Sequence, residues 1–142
     1  MNEENCLFCK IIRGEIPSSV IFEDEHSMAF MDVFPVTEGH CLLIPKKHYV
    51  NMYDVDPEVV AHLAKKLSDL TKRVQKATGA EGVLNIVANG EGAGQEIPHL
   101  HFHAIPRNKS SPFGFRFPPD YRESMASRDD LDRMAEMIRE AT

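Results

Sequence analysis

Ile97-Pro98-His99-Leu100-His101-Phe102-His103-Ala104-Ile105-Pro106-Arg107 alternates imidazole with apolar side chains, and the spacing predicts a strand over Leu100–Ile105. In an extended chain alternate side chains share a face, about 6.6–6.8 Å apart along the backbone. His99, His101 and His103 would then line one face while Leu100, Phe102 and Ala104 turn to the core. Three imidazoles on one face cannot all be charged cheaply, because like charges lower one another's pKa. At least one stays neutral near pH 7, the state a nucleophile or metal ligand needs. Isolated histidines such as His26 and His62 carry no such signal and read as ordinary surface or satisfied residues.

Just upstream, Asn89-Gly90-Glu91-Gly92-Ala93-Gly94-Gln95 places three glycines in five residues. Such a turn bends tightly and can offer N–H groups to an anion. Alone it is more commonly a glycine turn joining two strands; beside a row of imidazoles it becomes a phosphate-binding candidate. It matches neither the P-loop, lacking Gly-Lys-Ser/Thr, nor the dinucleotide fingerprint, lacking a following helix. Farther out, Val20–Glu23, Met28–Asp32, Cys41–Ile44 and Val83–Ala88 read as further strands, rich in β-branched and aromatic residues and separated by Gly, Pro, Asn and Asp. A helix is expected over 57–78, capped by Asp56 and stopped by Gly79, with Val59, Val60, Leu63, Leu67, Leu70 and Val74 as its apolar stripe. A second is expected over 128–141, where Ser127 and Asp130 form a capping pair and Leu131, Met134, Ala135 and Ile138 share a face that reads as packing. Three strands before the long helix and two after it predict an α+β fold: an antiparallel sheet of about five strands with the helices gathered on one side.

The chain has 142 residues and a formal charge of −6, which bounds the function. Length predicts a single domain spanning 1–142. The acidic balance argues against broad nucleic-acid binding, which needs a basic footprint. No apolar run reaches the roughly 18–20 residues of a membrane span. Met1–Asn5 is acidic and lacks the apolar stretch of a secretory signal, so a cytoplasmic location is expected. Three cysteines, an odd number, argue against a disulfide framework. Cys6-Leu7-Phe8-Cys9 has the two-residue gap of one half of a zinc site, with reduced, unligated thiols as the alternative. Cys41 reads as a small buried hydrophobe. Residues 108–124 read as an extended surface tail, in which Phe113, Phe115 and Phe117 are expected to pack on the domain or on a partner subunit.

The run His99-Leu100-His101-Phe102-His103-Ala104-Ile105 resembles the motif of the histidine triad (HIT) family. Gly14–Pro17, Ala29–Asp32, Gly39-His40, Ile44–His48 and Ala93–Gln95 extend the resemblance over a motif-bearing core of about residues 6–107, in the family's order. It implies a HIT-like fold, a homodimer, and hydrolysis of purine nucleotide conjugates at the α-phosphate. By it His101 attacks phosphorus to give a nucleotidyl-histidine, His103 bonds the phosphate and passes a proton, and His40 supports their orientation. Gln95 and the Gly94 backbone would hold the phosphate, Asp32 the ribose hydroxyls, and Asn89 would approach sugar and phosphate. Phe8, Ile11, Phe30 and Val33 would flank the purine by the resemblance alone, since the residues by themselves read better as core. In zinc-bearing members the cysteine pair is completed by residues corresponding to His48 and His99, which implies a structural zinc on Cys6, Cys9, His48 and His99. The chain departs from many members at Glu96, where Ser or Thr is common, so leaving-group preference is expected to differ. The resemblance also admits a dinucleoside polyphosphate hydrolase, or a nucleotide-binding regulatory module with incidental activity.

Overall fold

The computed structural model describes residues 3–142; Met1 and Asn2 of the N-terminal stretch lie outside them. Five antiparallel strands form one sheet in the order β1-β2-β3-β5-β4. They are β1 (Val20–Glu23), β2 (Ser27–Met31), β3 (Cys41–Pro45), β4 (Gly82–Ile86) and β5 (Phe102–Arg107). Three helices accompany them: α1 (Leu7–Ile12), α2 (Pro57–Thr78) and α3 (Arg128–Glu140). Chain connection leaves β5 between β3 and β4, with His103 opposite Leu42 on one side and Ile86 on the other.

Local chemistry sets the boundaries of α2. The Asp56 side chain accepts from the Glu58 N–H, Pro57 stands where no helical N–H is needed, and Gly79 takes a left-handed φ of 67°. Leu63, Leu70 and Val74 of its buried stripe pack with Ala29, Cys41, Leu43, Leu100 and Ala104. The opposite face of the sheet is also covered: Met28, Phe30, Leu42 and Ile44 pack against Cys6, Phe8, Cys9 and Ile11. This corrects the expectation of helices on one side only. Helix α1 occupies the far face, and β2 and β3, buried on both faces, lose the polar alternation of a half-exposed strand.

Two further expectations shift. Strand β5 begins at Phe102 rather than Leu100, because the Leu100 N–H donates to Tyr49 C=O at 2.7 Å and the chain before it turns His99 inward. The face of α3 read as packing buries nothing among the described residues: Leu131, Met134, Met137 and Ile138 are all exposed. Phe115 and Phe117 are exposed as well and stack on each other, so neither packs on the domain, whereas Phe113 reaches the cleft described below. No described helix is long and apolar enough to cross a membrane.

Candidate active site and metal centre

A cleft of about 600 Å³ opens where α1, the end of β2 and the start of β5 meet. Phe8, Ile11, Phe30 and Val33 line it with Asp32, His40, His101 and His103. Gly94 and Glu96 line it from the turn that precedes β5. His99 does not: it is fully buried, beneath the floor of the cleft, so the three triad rings do not form one row.

Fixed backbone groups settle the imidazole tautomers. The His101 Nδ1 lies 2.7 Å from the His99 carbonyl oxygen, an obligate acceptor. Nδ1 therefore carries the proton, and the lone pair is on Nε2. His40 is set the opposite way, since its Nδ1 accepts from the Val36 N–H at 3.1 Å. Its proton is then on Nε2 and is donated to His103 Nδ1 at 2.8 Å. A neutral His103 must consequently hold its own proton on Nε2. The cleft thus receives a lone pair from one imidazole and an N–H from its neighbour, with ring centroids 5.0 Å apart.

Electrostatics keep these rings neutral. Burial draws the His103 pKa down to about 4, assisted by the charges His101 and His40 would carry and opposed by Asp32. Burial likewise lowers His101 against the His99 carbonyl and Asp32. It lowers His40 against the same carboxylate. Asp32 also serves the local chain, its Oδ1 accepting the Phe34 N–H at 2.9 Å.

Two residues expected at the phosphate stand elsewhere. The Gln95 amide donates to the carbonyls of Val50 (2.6 Å) and Ile97 (3.0 Å) and accepts from the Gly90 N–H (2.8 Å) and Asn51 Nδ2 (3.2 Å). Its hydrogen-bonding capacity is filled, and it works as a splint inside the glycine turn. Asn89 accepts the Met52 N–H through its side chain and does not line the cleft. The Gly94 N–H closes the turn on the Glu91 carbonyl, and its φ of 93° suits glycine. Sequence reading missed Val36, which acts through its backbone N–H, and Asn51, whose side chain meets Gln95 from 44 positions away.

Beneath the cleft, Cys6, Cys9, His48 and His99 converge, their ligand atoms all within 4.8 Å of one another. Cys6 Sγ–His99 Nδ1 is 3.3 Å, Cys9 Sγ–His48 Nδ1 3.4 Å, Cys9 Sγ–His99 Nδ1 3.5 Å and His48 Nδ1–His99 Nδ1 3.2 Å. Zinc–sulfur and zinc–nitrogen bonds in a tetrahedron imply edges of about 3.3–3.8 Å. His99 donates through Nε2 to the Pro45 carbonyl at 2.9 Å, which turns the Nδ1 lone pair to the centre. Without a cation the Cys9 thiol resists ionisation: burial, then the Cys6 neighbour, pushes it up to about 12. The donor set fits a tetrahedral zinc.

The HIT domain model matches residues 13–110. An adenosine 5'-monophosphoramidase of Schizosaccharomyces pombe is 40% identical over 72% of this chain and 74% of its own. An adenylylsulfatase of Arabidopsis thaliana is 41% identical over 75% of this chain and 54% of its own. A crystal structure of a HIT family member from Bacillus subtilis superposes with a TM-score of 0.89 at 34% identity, covering 97% of both chains. A zinc-bound histidine triad protein from Mycobacterium smegmatis superposes with a TM-score of 0.75 at 34% identity, over 86% of this chain and 88% of its own. With the motif residues gathered around one cleft and the match running through most of the sequence, the chain belongs to the HIT family.

Proposed function

We propose that this protein hydrolyses purine nucleotide conjugates at the α-phosphate, of the adenosine phosphoramidate type, through a nucleotidyl intermediate on His101. The opposed tautomers of His101 and His103 carry the reading. The His101 Nε2 lone pair forms the bond to phosphorus while the His103 Nε2–H bonds a non-bridging phosphate oxygen, and the bond from phosphorus to the leaving amine breaks as that nitrogen takes a proton from solvent. Water then attacks phosphorus, gives up a proton to solvent and releases His101. The His99 carbonyl bonded to Nδ1 stabilises the imidazolium character of the intermediate. Phe8, Ile11, Phe30 and Val33 would hold the purine and Asp32 the ribose hydroxyls. The relatives named for phosphoramidase and adenylylsulfatase activity support cleavage beside an adenylate.

A structural zinc on Cys6, Cys9, His48 and His99 belongs to the same reading: four protein ligands leave no position for substrate, so it would supply only cross-linking. The exposed apolar residues of α3 and the tail support a homodimer. Steady-state turnover of adenosine phosphoramidate should fall at least 1,000-fold in His101→Ala, and rapid quench with mass spectrometry should find adenylate on His101 in the wild type. Turnover unaffected by that substitution would end the nucleophile assignment.

A further inference from the structure

We infer that Glu96 selects the leaving group by charge, favouring amines that carry a further positive charge over neutral ones and disfavouring anionic groups such as sulfate and polyphosphate. The inference rests on the hydrolase reading above and concerns the part of the substrate that departs.

Among the described residues lining the cleft, the charged side chains are Asp32 and Glu96, with no Lys or Arg. Asp32 is engaged: one oxygen accepts the Phe34 N–H, and the other lies 3.5 Å from His40 Nε2. Glu96 is exposed and makes no hydrogen bond or ion pair with any described residue. The charge of Asp32 acts on His40, His101 and His103. Glu96 thus offers a carboxylate with no partner among the described residues to whatever part of a substrate extends along its side of the cleft.

An adenylate conjugate already brings one negative charge to His101. A sulfate or polyphosphate leaving group adds more, and no cation in the wall offsets it. An ammonium on the leaving group meets Glu96 instead, and complementarity of this kind sets specificity more than affinity. An exposed carboxylate is worth about three- to fivefold in each direction.

The test compares kcat/KM at low salt for adenosine 5'-phosphoramidates of 1,3-diaminopropane, butylamine and β-alanine, which present a cation, no charge and an anion. Differences in amine basicity cancel when the cation-to-anion ratio of the wild type is divided by that of Glu96→Gln. That quotient should be about tenfold, and Glu96→Lys should invert the preference. Added salt should shrink the wild-type ratio, a readout that needs no variant. A ratio unchanged by Glu96→Gln and by salt overturns the inference while leaving the hydrolase reading intact. Failure of all three conjugates to turn over sinks both.

Discussion

The Val36 N–H is a donor that cannot reverse, and the proton positions of His40 and His103 follow from it one after the other. The same chain of bonds has a thermodynamic consequence. An unfolded histidine titrates near 6.5, whereas burial first, then the neighbouring imidazoles, holds folded His103 down to about 4. A depressed folded pKa means that stability is fully present above the unfolded value and is lost as pH falls toward the folded one. The thermal midpoint should therefore decline between about pH 6.5 and 4, and His103→Asn should flatten part of that decline. A wild-type slope equal to that of the variant would contradict the assignment of a neutral, buried ring. The imidazoles were legible as chemistry in the sequence because their spacing is regular. The turned-in Gln95 was not, since its four partners come from residues 50, 51, 90 and 97, which only the folded chain brings together.

At the scale of elements, the site depends on how the start of β3 is seated against the end of α2. Gly39 precedes His40 with a φ of 99°, and a Cβ there would lie 2.8 Å from Thr78 Cγ2 and 3.1 Å from Pro106 Cγ. Gly39→Ala is expected to cost about 1–3 kcal/mol in chemical denaturation, from overpacking and from the left-handed backbone together. It should also lower turnover, because His40 moves with the residue before it; a variant as stable as the wild type would show that this contact yields freely. Element type was largely readable: apolar period and turn residues locate α2 and the five strands, apart from the start of β5. Helix α1 was not, because six residues are too few to establish a period. Its presence on the far face of the sheet was equally hidden, since a strand buried on both faces reads as a plain apolar run. The exposed side of α3 shows the converse: an amphipathic pattern announces a face to be covered without saying what covers it.

Across the whole molecule, the Cys–His centre joins parts of the chain that are far apart in sequence. Cys6 and Cys9 open α1, His48 follows β3 and His99 precedes β5, so one ion would bind residues 93 positions apart. His99 belongs to both halves of the protein's chemistry: its ring faces the centre and its carbonyl holds His101 Nδ1. Removing the metal should thus loosen α1 and free the ring that attacks phosphorus. One zinc per chain is expected by elemental analysis of protein purified without chelator. Stripping it, or replacing Cys9 by Ser, should lower the thermal midpoint by several degrees or more and reduce kcat, with zinc restoring the stripped protein alone. The nucleotide wall would be affected too, because Phe8 lies between the two cysteines and lines the cleft. A metal-free wild type of undiminished stability and turnover would show that reduced thiols and neutral imidazoles suffice to hold this corner, and that packing of Phe8 and Ile11 on Phe30 and Leu42 does the work assigned to the ion.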